Sequence, residues 1–202
     1  MSKPNDNSID FLWHSFLNGD DKSFAIIYQR HIAQLLSYGH KLSNNREIVH
    51  DSIQEIFMDL FIKRGKLGVK IENLKSYLFV SLRHNLIKKI TKNRKFEMQE
   101  LNANQEDSPF FVEYSFQDNL IDLEISNEIK NKLAIAVNCL PSKQKEIIYL
   151  KFEEELEYSE ISEILKISVE SARKLLYSAL LSLREIVGPK TFQILFLNFF
   201  QK

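Results

Sequence analysis

The sequence contains few residues that form disulfides or interrupt helices. It has one cysteine, five glycines and four prolines among 202 residues. A single cysteine cannot close an internal disulfide, which indicates a reducing compartment. Because Cys139 stands among Ala136, Val137 and Leu140, we expect it to be a small buried hydrophobic residue rather than a reactive thiol. With few helix breakers and long segments of helical period, the sequence predicts an all-α protein.

Membrane and catalytic signatures are also missing. No apolar run reaches the roughly 18 residues that indicate a transmembrane helix, and the first residues lack the basic-then-apolar pattern of a signal peptide. The histidines at positions 14, 31, 40, 50 and 84 form neither HExxH spacing nor a Cys/His quartet, and no glycine-rich phosphate loop is present. We therefore expect a cytoplasmic protein without membrane insertion, not an enzyme, with no catalytic residues, no metal and no cofactor. His31 lies beside an apolar stripe and is predicted to be a packed core histidine.

Two adjoining segments each carry charge of a single sign, the first basic and the second acidic. The whole chain is nevertheless neutral, with 27 basic and 27 acidic residues and a pI near 7.0. Residues 73–96 contain seven basic and no acidic side chains, and residues 97–128 contain nine acidic and no basic ones. A neutral chain can neutralise few phosphates by itself, so we expect weak intrinsic affinity for DNA.

Helical period and composition divide the chain into four parts. Residues 8–96 hold four predicted helices, and residues 97–124 form an acidic linker whose aromatic residues leave open whether it is a free tether or packs on a domain or partner. Residues 125–187 form a second, smaller helical domain that contains a helix-turn-helix. After the break at Gly188, residues 188–202 form an apolar tail that we expect to pack on the second domain.

The third predicted helix has two unlike faces. At about 100° per residue, five apolar residues should face the core: Val49, Ile53, Ile56, Phe57 and Leu60. The opposite side carries Asp51, Gln54, Glu55, Met58 and Ile62. Apolar side chains among hydrogen-bonding groups are typical of a protein-docking face, although a solvated face with two stray apolar residues fits the same geometry.

The fourth predicted helix starts near Glu72 and buries leucines at positions 74, 78, 82 and 86 before a basic end. Its opposite side carries Tyr77, Ser81, His84 or Asn85, Lys88 and Lys92. Cations can meet phosphates while an aromatic ring stacks on an unpaired base. The pattern indicates a surface for a nucleic-acid strand or, from charge alone, a basic solvated helix end.

Residues 157–185, EYSEISEILKISVESARKLLYSALLSLRE, are typical of two short helices joined by a tight turn at Lys166, Ile167 and Ser168. Ser168 is well placed to cap the second helix. The predicted buried residues are Ile161, Ile164, Leu165, Val169, Ala172, Leu176, Ala179, Leu180 and Leu183. The predicted outward residues of the second helix are Glu170, Ser171, Arg173, Lys174, Tyr177 and Ser178.

The first of these two helices and the segment before it are acidic, through Glu153, Glu154, Glu155, Glu157, Glu160 and Glu163. Any DNA must therefore lie on the other side, where the amino-terminal residues of the second helix could reach base edges. A DNA-reading helix-turn-helix and a plain helical hairpin both fit this pattern.

Three stretches, taken together, resemble the extracytoplasmic-function group of bacterial RNA polymerase sigma factors. They are HDSIQEIFMDLF, NLKSYLFVSLRHNLIKK and the segment that runs from LPSKQKEIIYLKF to LSLRE. In order, they are similar to the group's polymerase-clamp-binding helix, its promoter-melting and minus-ten-reading helix, and its minus-thirty-five-reading helix-turn-helix. The resemblance spans about residues 9–185 and depends on order and spacing as well as on local pattern.

The resemblance implies partners and site residues. The polymerase-binding set is Asp51, Gln54, Glu55, Met58 and Ile62. The minus-ten DNA set is Tyr77, Ser81, Arg83, His84, Asn85, Lys88, Lys89 and Lys92. The minus-thirty-five DNA set is Ser168, Ser171, Arg173, Lys174 and Tyr177. The implied partners are bacterial core RNA polymerase, which would supply much of the phosphate contact that a neutral chain lacks, promoter DNA, and an anti-sigma factor.

The sequence departs from the group at two places, and it also fits one alternative function. Many members have glycine at the position of Lys166, which bears on the geometry of the turn, and an aspartate near Lys88 and Lys89. The alternative is a standalone helix-turn-helix transcriptional regulator similar to LuxR-like proteins, which would bind DNA without polymerase. Such a regulator would carry a ligand or receiver domain in front, and the strand–helix alternation of a receiver is missing.

Overall fold

The computed structural model describes residues 8–64, 73–97 and 127–193. Within these residues every regular element is helical and none is a strand, so the all-α prediction is confirmed. The chain separates into two compact units, Met1–Asn102 and Ala103–Lys202. The predicted linker from residue 98 on and the tail from residue 194 on lie outside the described residues, and the domain bounds stay a prediction.

The described part of the first unit contains α1 (Ile9–Leu17), α2 (Asp21–Leu42), α3 (Arg46–Lys63) and α4 (Leu74–Glu97). Each helix begins beside a short polar side chain that accepts a hydrogen bond from a free backbone N–H of the first turn. The capping residues are Ser8, Asp20, Asn45 and Asn73. Because each such cap contributes about 1 kcal/mol, these four residues explain where the helices start.

The predicted leucine stripe of α4 forms the centre of the first unit's core. Leu74, Leu78, Leu82 and Leu86 are all buried, and α4 packs against both α2 and α3. The helices α2 and α3 approach closely at Gly39, where an added Cβ would lie 2.6 Å from Cγ1 of Val49. A stiff, branched neighbour at that distance leaves no room for a side chain at position 39.

His31 of α2 is the packed core histidine that the sequence predicts. It is 7% exposed, and neither ring nitrogen has a hydrogen-bond partner. Burial lowers the pKa of His31 below its ordinary value of 6.5, and the positive charges of Lys75 and Arg30 lower this pKa further. The imidazole is therefore neutral in the folded unit at neutral pH.

The described part of the second unit contains α5 (Asn127–Cys139), α6 (Ser142–Ile148), α7 (Tyr158–Leu165) and α8 (Val169–Val187). The helix α6 continues directly into a π-helical turn, Tyr149–Glu153, which no sequence pattern predicts. The helix α8 packs on α5, α6 and α7. As predicted, its residues Ala172, Leu176, Ala179 and Leu183 are buried, and α8 ends at Gly188, which has a positive φ of 82°.

Three burial predictions in the second unit are wrong. Cys139 is exposed, because it lies about 100° around α5 from the centre of the buried stripe beside it. Val169 is 38% exposed: a helical side chain covers the turn that precedes it, and this residue is the first of α8. Glu154 is buried and accepts a 2.6 Å hydrogen bond from the Tyr149 hydroxyl, so it does not contribute to the acidic surface. Leu165 and Leu180 are half-buried.

Candidate functional site

The outer face of α3 exposes all five residues predicted for it, and this set, Asp51, Gln54, Glu55, Met58 and Ile62, is called the docking face below. Met58 is 60% exposed and Ile62 is 70% exposed. The five apolar residues predicted for the opposite side are all buried, so the two-faced helix is confirmed. Large apolar side chains held in water beside carboxylates are typical of a surface that another protein covers.

Two ion pairs border the docking face. Nζ of Lys63 lies 2.6 Å from Oδ2 of Asp59, one turn back on α3, and this contact raises the pKa of Lys63. Nζ of Lys89 on α4 lies 2.9 Å from Oε1 of Glu55. The second pair joins a residue of the docking face to a residue predicted to meet DNA. Exposed pairs contribute only about 0.2–1 kcal/mol, so either partner can exchange the contact for another ligand.

A groove between α3 and α4 gathers four of the side chains predicted to meet minus-ten DNA. It is lined by Tyr77, Val80, Ser81, His84 and Asn85 of α4 and by Ile56 and Asp59 of α3. Lys88 and Lys92 are exposed on the following turns of α4. Arg83 and Lys89 are half-buried and do not line this groove.

Asp59 is a groove residue that the sequence reasoning misses. It belongs to α3, whereas the residues predicted to meet minus-ten DNA all belong to α4, so only the packing of the two helices brings it to the groove. A carboxylate repels phosphate, but it can accept a hydrogen bond from the exocyclic amino group of a base. Its position on the same helix as Glu55, one turn further on, is the signal that could have indicated exposure.

The turn between α7 and α8 forms with Lys166 in the left-handed conformation, with φ 54° and ψ 48°. The N–H of Ile167 donates to the carbonyl oxygen of Ser162 at 3.0 Å and closes the end of α7. This backbone region favours glycine, so the lysine costs about 1–3 kcal/mol without preventing the turn. Ser168 then caps α8 as predicted, since its Oγ accepts a hydrogen bond from the N–H of Ser171 at 3.1 Å.

The helix α8 presents the predicted reading residues to solvent. Ser171, Arg173, Lys174 and Tyr177 are all exposed, and 66% of the surface of Tyr177 is accessible. Nζ of Lys174 lies 2.7 Å from Oε1 of Glu170, one turn back on the same helix. Exposed cations and hydroxyls along the first half of the second helix suit contact with base edges and phosphates.

Tyr158, the first residue of α7, is part of this surface although no sequence pattern indicates it. The guanidinium carbon of Arg173 lies 5.4 Å from the centroid of the Tyr158 ring. Nζ of Lys151 lies 5.2 Å from the same centroid. The three side chains come from three different elements, so their meeting depends on the fold of the second unit.

The docking face of α3 offers apolar, carboxylate and amide groups, which suit binding to protein, whereas α4 and α8 offer cationic, aromatic and hydrogen-bonding groups, which suit nucleic acid. Across residues 8–64, 73–97 and 127–193, no group of three or more His, Cys, Asp or Glu side chains is placed to hold a metal ion. None of the helices in that part of the chain combines the length and the apolar content that a membrane span requires.

Two protein families match successive parts of the chain. The family Sigma-70 region 2 matches residues 27–96, which include most of α2 and all of α3. The family Sigma-70, region 4 matches residues 136–185, which run from the end of α5 through most of α8. Together, the two matches span more than half of the chain.

A solved structure shares the fold. It is the sigma factor RpoE in complex with the anti-sigma factor NepR from Bartonella quintana, with a TM-score of 0.57 and 19% sequence identity. The similarity covers 82% of this chain and 97% of that chain. No curated protein matches the sequence.

The family matches coincide with the surfaces described above. Region 2 includes the docking face and the groove between α3 and α4, and region 4 includes the helix-turn-helix. A LuxR-like regulator would account for the helix-turn-helix but not for region 2, so that alternative is not favoured. The chain belongs to the sigma-70 family and is a sigma factor of the extracytoplasmic-function type, a protein that binds core RNA polymerase and promoter DNA.

Proposed function

We propose that the chain binds core RNA polymerase through the docking face of α3. The observation that carries this proposal is the exposure of Met58 and Ile62 beside Asp51, Gln54 and Glu55. Burying the two apolar side chains against a partner would remove them from water, and the three polar groups would orient the partner. Region 2 of the family includes this helix.

The groove between α3 and α4 is our proposed site for the melted minus-ten strand. Tyr77 can stack on an unpaired base, Ser81, His84 and Asn85 can bond its edge, and the cations Lys88 and Lys92 can bind phosphates. We place Arg83 and Lys89 at the border of this site, since both are half-buried outside the groove. Lys89 becomes available to DNA when Glu55 exchanges their ion pair for a contact with polymerase.

The proposed reader of the minus-thirty-five element is the exposed face of α8, with Ser168 and Ser171 at its start and Arg173, Lys174 and Tyr177 along it. Charge supports a division of labour with polymerase. The chain is neutral, and the pairing of Lys174 with Glu170 further reduces the positive charge that α8 offers to phosphates. Polymerase would therefore supply much of the phosphate contact that holds the promoter.

Three further properties belong to the same proposal. The chain has no catalytic chemistry of its own, since polymerase forms the phosphodiester bonds of the transcript. It acts in the cytoplasm, where polymerase and promoter DNA are found. An anti-sigma factor holds it inactive, as a partner comparable with the one that accompanies the sigma factor from Bartonella quintana.

The test is promoter-directed transcription with purified bacterial core polymerase and a pooled promoter library at fixed salt. The wild-type chain should produce specific start sites that are absent with core polymerase alone. A triple variant, Asp51→Ala with Gln54→Ala and Glu55→Ala, should lose them because its docking face has lost the polar groups. The matched control replaces two carboxylates and one amide elsewhere, with Gln29→Ala, Glu163→Ala and Glu185→Ala, all of which are exposed, and should initiate like the wild type.

Loss of initiation in both triple variants would show that the docking face has no special role. Absence of initiation with the wild-type chain, together with promoter binding by the chain alone, would instead favour the standalone regulator. The second outcome contradicts the functional proposal as a whole, whereas the first contradicts only the assignment of the polymerase-binding residues.

A further inference from the structure

The ring of Tyr158 contacts a lysine, Lys151, from the turn that precedes α7. Nζ of Lys151 lies over the ring at 5.2 Å from the centroid and donates to the carbonyl oxygen of Leu156 at 3.1 Å. The same ammonium group lies 3.4 Å from Oε1 of Glu157. Lys151 is thus tied to the two residues that precede Tyr158, and only 22% of its side chain is exposed. The ring therefore has a neighbour, Lys151, that is anchored to the residues just before Tyr158.

Arg173 reaches the same ring from α8. It is the fifth residue of the helix, in the part from which a recognition helix reads base edges, and its guanidinium carbon lies 5.4 Å from the ring centroid. Its neighbour Lys174 differs, because that ammonium group pairs with Glu170 of α8 itself. The contact with Tyr158 ties a side chain of the second helix to the first helix of the motif.

A contact of this kind selects among the orientations of a long side chain. A guanidinium group is planar and stacks on aromatic faces, and an exposed cation–π contact changes an equilibrium constant by about two- to fivefold. A free arginine must lose its rotamer freedom when it binds a base, whereas an arginine already held against a ring has lost part of it beforehand. The ring thus lowers the conformational entropy that the arginine side chain loses when it binds a base.

We infer that Tyr158 is a positioning residue: its ring, fixed by Lys151, holds the Arg173 guanidinium in the orientation that reads the upstream promoter element. This inference rests on the proposed function, and it adds to it a residue outside the predicted reading set. It assigns the role to the aromatic face, so the hydroxyl group of Tyr158 is dispensable for it.

The experiment compares Tyr158→Phe, Tyr158→Leu, Arg173→Ala and the double variant Tyr158→Leu/Arg173→Ala in the full chain. Each is combined with core polymerase and used to select from the pooled promoter library, and base preference at the upstream positions is read by sequencing. Arg173→Ala should relax the preference at the positions it reads by about 5- to 150-fold. Tyr158→Leu should relax the same positions by about two- to fivefold, and Tyr158→Phe should match the wild type. The double variant should be no worse than Arg173→Ala.

Each other outcome overturns the inference. Wild-type preference in Tyr158→Leu would show that the ring does not position Arg173, and sharper preference would show that the ring restrains Arg173 away from DNA. Equal losses of base preference in Tyr158→Phe and Tyr158→Leu would assign the effect to the hydroxyl group. Unchanged base preference in Arg173→Ala would show that Arg173 does not read the upstream positions. These results all require initiation by the wild-type chain, so they are distinct from failure of the proposed function.

A second measurement needs no variant and so does not depend on the folding of Tyr158→Leu. Side-chain 15N relaxation in the wild-type chain compares Nε of Arg173 with Nε of Arg184, an exposed arginine on the same helix. Arg173 should be the more ordered of the two on the picosecond–nanosecond timescale that this relaxation reports. Equal mobility of the two side chains would contradict the inference.

Discussion

Ile62 allows a sharp test of the docking face because the chain contains a matched control. Ile62 is 70% exposed on α3, and Ile135 is 63% exposed on α5 of the second unit. Replacing either by alanine removes a similar amount of exposed apolar surface from a helix. Only the first replacement alters the docking face, so a difference between the two variants reports on the face rather than on exposed isoleucine in general.

The expected size of the effect follows from the exposure. Full burial of an isoleucine side chain stabilises by about 1.5–3 kcal/mol. Since 70% of Ile62 is still accessible, about 1–2 kcal/mol of this remains to be gained when polymerase covers it. Ile62→Ala should therefore raise the Kd for core polymerase by about 5- to 30-fold. Ile135→Ala should stay within about twofold of the wild type.

The assay is a fluorescence anisotropy titration of the labelled full chain with purified bacterial core polymerase at one salt concentration. Thermal unfolding of each variant serves as the check on folding, and neither should lose stability, since alanine favours helix more than isoleucine does. A Kd for Ile62→Ala equal to that of the wild type would refute the reasoning. An equal loss of affinity in Ile135→Ala would refute it as well.

Two further predictions concern stability. Lys166→Gly removes a left-handed penalty of about 1–3 kcal/mol and adds about 0.5–1 kcal/mol of unfolded-chain entropy, so denaturant unfolding should show a gain of up to about 2.5 kcal/mol; a loss would contradict the left-handed turn. Burial, with the charges of Lys75 and Arg30, lowers the pKa of His31 below 6.5, so the unfolded chain binds the proton more readily. The free energy of unfolding should keep its full His31 contribution above pH 6.5 and should fall as the pH drops below that value. This dependence of the free energy on pH should be weaker in His31→Leu. An unchanged dependence would show that His31 does not titrate on unfolding.

Sequence periodicity predicts the parts of this fold that depend on one helix at a time. The buried and exposed sides of α3 and the leucine stripe of α4 follow from 3.6 residues per turn, so every residue assigned to the two faces of α3 lies where it was expected. Ser168 is predicted as a cap because a cap needs only its own helix. The reading face of α8 is predictable for the same reason.

Contacts between elements are the part that local pattern does not predict. The pair of Glu55 with Lys89 and the contact of Arg173 with Tyr158 join residues of different helices. The π-helical turn inserts one extra residue per turn and so shifts the register of the helical period, which no pattern of period 3.6 anticipates. Cys139 shows that apolar neighbours in sequence do not by themselves determine burial. Three of its neighbours are buried, yet Cys139 is exposed because it lies on another side of α5.

Promoter binding with and without polymerase, at one physiological salt concentration, tests directly whether the chain needs polymerase to hold DNA. Promoter fragments selected by the transcription assay are titrated with the chain alone, with core polymerase alone and with both. We expect specific binding only when both proteins are present, because a neutral chain neutralises few phosphates by itself. Equally tight and specific binding by the chain alone would contradict this expectation, and would show that the helix-turn-helix reads DNA without polymerase.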